Sequence, residues 1–201
     1  MDSSVFQKEF DLYNELLLEW NKKVNLVSRK TVSIEDHILN SIFFLTKHNI
    51  EKAGTIADIG TGGGFPGIPL KILFPEKEIT LIDSIRKKVS AVNDIIENIK
   101  LEKINAVCAR AEEISEKKEF KNKFDTVISK AVAPLDNLYL WGKNFMKRNG
   151  EMLCIKGGNI DEELASLNKL KYKFDVKVIN FNSDKTYKIE DKKLVIIKNP
   201  A

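Results

Sequence analysis

A cluster of glycines follows a short apolar segment and could form a ligand-binding loop. Residues 55–59 are mostly apolar and predict a strand, and five glycines then lie between Gly60 and Gly67. Residues 68–74 predict the start of a helix. A strand, a glycine turn and a helix bring backbone N–H groups close to a nucleotide-like ligand, because glycine adopts positive φ and has no Cβ. So many glycines weaken a turn that binds nothing, so we expect a bound ligand here.

Two classes of ligand fit the spacing of these glycines. Gly62, Gly64 and Gly67 reproduce the G-x-G-x-x-G fingerprint of dinucleotide-binding proteins. In a second register, Asp58-x-Gly60-x-Gly62-x-Gly64 is the loop of methyltransferases that depend on S-adenosylmethionine (SAM). An acid at a strand end repels a pyrophosphate but suits the ammonium group of SAM, which has no phosphate. We therefore favour SAM and take as candidate cofactor contacts Asp58, Gly60, Gly62 and Gly64.

Further polar residues end the later predicted strands. Asp83 ends the second, where a carboxylate accepts hydrogen bonds from ribose hydroxyls; it also fits a helix N-cap, and we favour the ligand. Ala111 and Glu112 follow the third, where backbone groups could read an adenine edge, although Glu112 also fits a surface ion pair or the start of a short helix. Lys130 and Lys156 end the fourth and fifth, as candidate catalytic residues facing the acceptor or as solvated rim charges.

The order of the apolar segments decides where these residues meet. From residue 55 onward strands alternate with helices, which predicts a parallel sheet with helices on both faces. The last two strands have no helix between them and predict an antiparallel pair at the sheet edge. The sequence thus predicts a seven-stranded, doubly wound, Rossmann-like α/β methyltransferase domain over residues 51–201, preceded by a helical extension over residues 1–50. The predicted strands are 56–59, 78–82, 104–108, 124–128, 151–155, 173–181 and 192–198; the predicted helices are 5–20, 33–47, 67–74, 85–99, 135–147 and 161–170.

Composition limits the classes of protein to which the chain can belong. Its 201 residues are 43% apolar and 31% charged with a net charge of +4, which fits one globular unit and permits a nucleic-acid partner. No apolar segment is long enough for a membrane span, and the acidic N-terminus is no signal peptide. Cys108 and Cys154 lie in apolar segments, so we expect both to be reduced core residues. The sequence has no Cys/His cluster with the spacing of metal ligands, so we expect no metal site. The histidines, His37 and His48, predict structural hydrogen bonds, and we expect a cytoplasmic monomer.

Seven segments match one family of methyltransferases in the family's order. They are Trp20-Asn21-x-x-x-Asn25-Leu26, His37-Ile38-Leu39-Asn40-Ser41, Asp58 to Leu70, Leu81-Ile82-Asp83-Ser84 with Lys87-Lys88, Ala109-Arg110-Ala111-Glu112, Ile128-Ser129-Lys130-Ala131 and Lys156-Gly157. The Phe-Pro-Gly-Ile-Pro-Leu extension of the glycine loop is far more specific than the glycines alone. With these segments the chain resembles the ribosomal RNA small-subunit methyltransferase G family, also called glucose-inhibited division protein B.

The resemblance implies an enzyme that uses SAM to methylate N7 of one guanosine in the 16S ribosomal RNA of the small ribosomal subunit. It also implies cofactor contacts, which fall on Gly60, Phe65, Ala111, Glu112 and Lys130. The chain departs from the family at two positions. Lys130 stands where arginine is usual; lysine keeps the positive charge but lacks the planar guanidinium group that can make two parallel hydrogen bonds. Asn40 stands where aspartate is frequent.

An N7 target agrees with what the sequence lacks. The fourth strand does not end in the Asn/Asp-Pro-Pro-Tyr/Phe motif of enzymes that methylate exocyclic amines. Guanine N7 has a free lone pair and needs no general base, so catalysis would come mainly from proximity. We expect Asp58 and Asp83 to anchor SAM, Lys130 and Lys156 to hold the acceptor, and the basic segment 22–30 to guide RNA.

Two alternatives stay open at this point. An NAD-dependent oxidoreductase would use the dinucleotide register and would bind NAD but not SAM. A non-catalytic RNA- or ribosome-binding module on the same fold would bind RNA but not SAM. We place both below the methyltransferase, and the second above the first.

Overall fold

The computed structural model describes residues 3–181 and 191–199. Helices and strands alternate through most of this range. In chain order the elements are α1 (Ser3–Asn21), α2 (Glu35–Ile42), a 3-10 turn (Phe43–Thr46), β1 (Thr55–Ile59), α3 (Gly67–Leu73), β2 (Glu78–Asp83), α4 (Arg86–Ile99), β3 (Ile104–Cys108), α5 (Ala111–Ile114), β4 (Phe124–Lys130), α6 (Leu135–Gly142), β5 (Met146–Gly157), α7 (Asp161–Asn168), β6 (Asp175–Phe181) and β7 (Lys192–Lys198).

The seven strands form one sheet in the order β3-β2-β1-β4-β5-β7-β6. Strands β1 to β5 pair in parallel, whereas β7 lies antiparallel to both β5 and β6. The doubly wound α/β fold with an antiparallel C-terminal pair is therefore confirmed. The order reverses between β1 and β4, and in open sheets of this kind ligands bind outside the carboxyl ends of the strands at that point.

Helices cover both faces of the sheet, and each face has its own core. The central strands β1 and β4 are buried along nearly their whole length, which is why their sequences are almost continuously apolar. Helices α1 to α4 pack on one face, with Leu17 and Ile95 in the shared core. Helices α5 to α7 pack on the other, with Leu138 and Leu167 in that core. The carboxyl ends of the central strands are thus fixed from both sides.

The N-terminal extension shares a core with the sheet instead of standing apart from it. Tyr13, which is fully buried, donates its hydroxyl to the carbonyl oxygen of Gly63 at 2.8 Å. Trp20 donates its ring N–H to Oδ2 of Asp94 on α4 at 2.6 Å. Because Gly63 belongs to the glycine loop, the extension directly supports the loop that the sequence singles out.

The helix predicted over residues 135–147 is wrong in its second half. It ends at Gly142, and β5 begins at Met146, earlier than the predicted 151. Phe145 and Met146 are both buried, so the apolar residues that suggested a longer helix instead enter the core as the chain turns into the strand. The second predicted helix also ends early, at Ile42, and the 3-10 turn continues it to residue 46.

The two cysteines differ in burial, and only one is a core residue. Cys154 lies in the interior strand β5 and is fully buried, and burial raises the pKa of its thiol to about 12. Cys108 is exposed, contrary to the sequence prediction, because it ends the edge strand β3, whose faces are only partly covered. Both thiols are free.

Candidate functional site

The glycine loop, residues 60–67, leaves β1 where the strand order reverses. The N–H of Gly60 donates to the carbonyl oxygen of Ile82 on β2 at 2.8 Å, which carries the chain across the end of the sheet. Gly60, Gly62 and Gly64 have φ values of +71°, +59° and +100°. L side chains rarely adopt this region, so the backbone of the loop requires glycine at these three positions.

Asp58 lies beneath the glycine loop. Its carboxylate is fully buried, and Oδ2 accepts hydrogen bonds from the Thr61 hydroxyl at 2.7 Å and the Gly67 N–H at 3.0 Å. Oδ1 is buried with no hydrogen-bond partner in the described part of the chain. Burial raises the pKa of Asp58 to about 7, against the effect of these hydrogen bonds and of the Lys130 charge. Asp58 therefore ties the loop together, and its contact with a cofactor stays a prediction.

Asp83 ends β2 and reaches the glycine loop from the side. Its Oδ2 accepts from the N–H of Gly62 at 3.0 Å, and its Oδ1 accepts from the N–H of Ile85 at 2.9 Å. The N-cap of α4 is Ile85, so the N-cap alternative for Asp83 is wrong, although its second bond shapes the turn that leads into α4. Because a carboxylate has about four acceptor sites, lone pairs remain for a ligand.

A cavity of about 360 Å³ lies at the carboxyl ends of β1, β2 and β4. The residues predicted from sequence that line it are Gly60, Gly62, Asp83, Ala111, Glu112 and Lys130. The predicted residues outside its lining are Asp58, Gly64, Phe65 and Lys156. Residues that sequence reasoning missed also line it, among them Ser84, Lys88, Ala131, Val132 and Trp141. Trp141 comes from α6, and no local motif connects it with the glycine loop.

Lys130 ends β4 at the wall of this cavity. Its Nζ lies 5.6 Å from the centre of the Phe65 ring. Phe65 is only 5% exposed and packs against Tyr13 and His37, with ring centres 5.5 and 5.8 Å apart. Burial lowers the pKa of Lys130, and the charge of Asp58 opposes that shift. The arrangement supplies a partly desolvated ammonium group beside the cavity, with Phe65 supporting it from behind.

The β4–α6 loop, residues 131–134, forms part of the cavity wall next to Gly60. Ala131 has φ +54°, a left-handed conformation that costs a non-glycine residue about 1–2 kcal/mol. A Cβ at Gly60 would lie 2.6 Å from Cγ2 of Val132, so Val132 packs directly over that glycine. The loop and the glycine loop therefore meet at one point, and only glycine fits there.

Lys156 lies behind the β4–α6 loop and not in the cavity. It is 8% exposed, its Nζ lies 2.6 Å from Oε2 of Glu163, and it donates to the carbonyl oxygen of Ala133 at 2.9 Å. The structure thus brings Lys130, and not Lys156, to the cavity wall. A catalytic role for Lys156 stays a prediction. In this structure its ammonium group binds Glu163 and the backbone of the β4–α6 loop.

A larger cavity, of about 510 Å³, lies at the other end of the strands, where β1, β4 and β5 begin. Two of the carboxylates that line it are paired: Glu151 with His48 at 2.8 Å and with Lys198 at 3.3 Å, and Asp125 with Lys147 at 2.8 Å. His48 therefore makes the structural contact expected from the sequence. Because ligands of open α/β sheets bind at the carboxyl ends of strands, we take the smaller cavity as the candidate site.

Residues 3–181 and 191–199 hold no group of three or more His, Cys, Asp or Glu side chains placed to bind a metal ion. None of the helices in that part of the chain has the length and apolarity of a membrane span.

The comparisons with known proteins agree with one another. A family model described as rRNA small subunit methyltransferase G matches residues 6–194. The chain is 43% identical over 155 residues to a protein named ribosomal RNA small subunit methyltransferase G from Chlorobaculum tepidum, covering 76% of this chain and 69% of that one. It is 39% identical over 178 residues to a protein of the same name from Cytophaga hutchinsonii, covering 84% and 83%.

Solved structures share the fold. A fibrillarin/Nop5p complex aligns with a TM-score of 0.61 at 13% identity, covering 84% of this chain and 83% of that one. A precorrin-6y C5,15-methyltransferase from Geobacter metallireducens aligns with a TM-score of 0.57 at 15% identity, covering 87% and 93%. At these identities the likeness shows the fold alone.

Proposed function

The chain belongs to the rRNA small subunit methyltransferase G family, and we propose that it transfers the methyl group of SAM to N7 of one guanosine in 16S ribosomal RNA. One observation carries the proposal. The cavity at the carboxyl ends of β1, β2 and β4 is lined by Gly60 and Gly62 of the glycine loop, by Asp83 and by Lys130. A cofactor and an acceptor nucleotide would meet between them.

The residues around the cavity fit SAM. Gly60 and Gly62 leave their backbone open to it, and Asp83 retains acceptor sites for ribose hydroxyls. Ala111 and Glu112 also line the cavity, and we place the adenine beside them. In its ionised form, the buried Asp58 carboxylate adds negative potential under the loop, which favours a cationic ligand. When bound, SAM supplies an electrophilic methyl group on a positively charged sulfur.

The protein's own contribution is to bind, orient and exclude water. Guanine N7 carries a free lone pair, so the acceptor loses no proton before it attacks, and a general base has no task. Lys130 would donate to an oxygen of the acceptor nucleotide, either guanine O6 or a phosphate. Holding the two reactants in line is worth about 7–11 kcal/mol in well-oriented systems, which is the main source of rate that we assign to this site.

A basic segment beside the site would attract the RNA. Residues 22–30 lie in the connection between α1 and α2, and Asn21 fixes their path by accepting hydrogen bonds from the N–H groups of Leu26 and Val27 at 2.9 and 3.0 Å. Leu26 is buried and lies close to Gly63, so the segment sits beside the glycine loop. Its exposed cations are Lys22, Lys23, Arg29 and Lys30. Cations of this kind bind RNA phosphates in a salt-dependent way.

We further propose that the protein acts as a monomer in the cytoplasm, on the RNA of the small ribosomal subunit. A single chain contributes every residue that we assign to the site, and the glycine loop and β4–α6 loop that enclose it come from one sheet.

Methyl transfer to defined nucleosides tests the proposal. Purified protein receives labelled SAM with small subunits that lack the modification and, in parallel, with naked 16S RNA; the RNA is then digested and its nucleosides are separated. Label in 7-methylguanosine is expected. Label in another nucleoside would overturn the N7 assignment while leaving a methyltransferase.

Binding measurements separate the remaining alternatives. Calorimetry with SAM and with NAD is run on the wild type and on Asp83→Ala, which removes the proposed ribose contact. NAD binding without SAM binding would indicate an oxidoreductase. RNA binding without SAM binding would indicate a non-catalytic module.

A further inference from the structure

The β4–α6 loop is a wall shared by two cavities. Ala131 and Val132 line the 360 Å³ cavity and also an adjoining one of about 320 Å³, in which Lys156 and Glu163 lie. Ala131 holds a left-handed conformation, and Val132 packs on Gly60. A loop with such a residue keeps its shape only where surrounding contacts hold it in place.

Lys156 and Glu163, which we call the clamp, hold the β4–α6 loop from the side of the adjoining cavity. The Lys156 ammonium group donates to the carbonyl oxygen of Ala133 at 2.9 Å and pairs with Oε2 of Glu163 at 2.6 Å. The same Oε2 accepts the N–H of Leu135, the first residue of α6, at 3.0 Å. The clamp thus joins β5, α7, the loop and the start of α6 through one ammonium group and one carboxylate.

Burial makes the two members of the clamp depend on each other. The side chains of Lys156 and Glu163 are 9% and 27% exposed. Removing one partner of a buried pair leaves an uncompensated charge, whereas replacing both by apolar residues is often neutral for stability. A clamp that acts through the loop should therefore show strongly non-additive effects. A lysine that met RNA by itself should not depend on Glu163 in this way.

We propose that Lys156 and Glu163 are positioning residues for methyl transfer: they hold Val132 over Gly60 and keep Lys130 at the cavity wall without touching the cofactor or the RNA. The inference rests on the proposed function and gives Lys156 a different role from the catalytic one predicted from sequence. Lys130 precedes Ala131 directly, so displacement of the loop moves the ammonium group that would hold the acceptor.

The test compares Glu163→Ala, Glu163→Gln, Lys156→Met and the double variant Lys156→Met/Glu163→Leu with the wild type. Glu162→Ala is the matched control, because Glu162 is the neighbouring, exposed residue of α7. We expect kcat to fall about 30-fold in Glu163→Ala and in Lys156→Met, since small misplacements of reactants cost up to about 100-fold. The dissociation constant for SAM should change much less than kcat, because Asp83 and its hydrogen bond to the Gly62 N–H stay in place and only Val132 moves from Gly60. The double variant should lose no more than the worse single variant.

A second measurement needs no activity. The N–H of Ala131 donates to the carbonyl oxygen of Ile155 at 3.1 Å, and Glu163 takes no part in this hydrogen bond. Its hydrogen exchange should quicken at least about tenfold in Glu163→Ala and stay unchanged in Glu162→Ala, because opening of the loop sets its protection. Circular dichroism confirms folding, and Glu163→Gln replaces Glu163→Ala where the latter does not fold.

Two results would overturn the proposal. In one, Glu163→Ala keeps wild-type kcat and Ala131 protection while Lys156→Met raises KM for the subunit and lowers the salt dependence of RNA binding by about one ion, as for a phosphate contact. In the other, the two single effects add in the double variant. Failure of the proposed function is recognised separately, since the wild type would then transfer no label to 7-methylguanosine even if Ala131 exchange responds as expected.

Discussion

The last residues of the strands and the residues just before them serve different parts of this molecule. Asp83 and Lys130 are the final residues of β2 and β4, and both line the cavity. Asp58 and Lys156 are the next-to-last residues of β1 and β5, and both are buried behind loops, where they bind backbone groups. One residue along a strand thus separates a group that can meet a ligand from one that shapes the loop around it.

The physical reason is what each side chain faces, since Asp83 and Lys156 are almost equally buried, at 9% and 8% exposed. Successive side chains of a strand point to opposite faces of the sheet, so a shift of one residue can turn a group from the cavity toward the back of a loop. A charged group behind a loop must find partners there, because burying it alone costs several kcal/mol. We call Asp83 and Lys130 the wall residues and Asp58 and Lys156 the supporting residues. Changes in the first should affect ligand binding or the reaction directly, whereas changes in the second should act through the shape of the loops, and so on stability, pH dependence or, for Lys156, on the rate.

The largest effect is expected at the wall residue Lys130. Lys130→Met should lower single-turnover methyl transfer by about 100-fold, because a positioned charged group is lost from a partly desolvated site. Lys130→Arg, which restores the residue usual in the family, should remain within a few-fold of the wild type. Thermal unfolding of all three proteins serves as the control. Wild-type rates in a folded Lys130→Met would remove Lys130 from the site.

The next effect concerns Asp83. Asp83→Ala removes the proposed ribose contact and the acceptor of the Gly62 N–H, so SAM affinity should fall by about 30-fold, or roughly 2 kcal/mol. Calorimetry measures it, with Glu97→Ala on the exposed face of α4 as the control. If SAM binds Asp83→Ala as tightly as it binds the wild type, Asp83 has only the structural role of shaping the turn.

A supporting residue should instead show itself in stability against pH. The pKa of Asp58 is raised to about 7, so the folded state keeps a proton that the unfolded state releases near pH 4. The contribution of Asp58 to stability is therefore greatest at low pH and declines as pH rises from about 4 through about 7. Asp58→Asn cannot titrate, and this decline, on the order of 1–3 kcal/mol, should be missing from it. Urea unfolding at pH 5 and pH 8 measures the difference; equal pH dependence in both proteins would contradict the prediction.

The smallest effect is expected outside both groups, on the basic segment 22–30. Lys30→Gln and Arg29→Gln should each lower RNA affinity only a few-fold at moderate salt and reduce the slope of log K against log salt by about one. SAM affinity and single-turnover rate at saturating RNA should not change. A change in rate would place the segment in contact with the acceptor nucleotide itself.

Much of this architecture follows from local sequence. The alternation of strands and helices, the glycines with positive φ, and the acid at the end of β2 are each dictated by a few neighbouring residues, and all were predictable. The end of α6 was not, because Phe145 and Met146 are equally compatible with a helix face and with the start of a strand, and only packing in the core decides. Cys108 is similar: an apolar segment does not tell an edge strand from an interior one.

By itself, then, the sequence determined the fold and the position of the glycine loop, since periodicity and backbone geometry are local properties, while its motifs indicated the family by resemblance. Only the tertiary structure separated Lys130 from Lys156, buried Asp58 beneath the loop, brought Trp141 to the cavity and paired Glu163 with Lys156. Those outcomes depend on how far each strand extends past its neighbours and on which distant helix packs behind it. No short stretch of sequence records either, because both are set by the packing of the whole sheet.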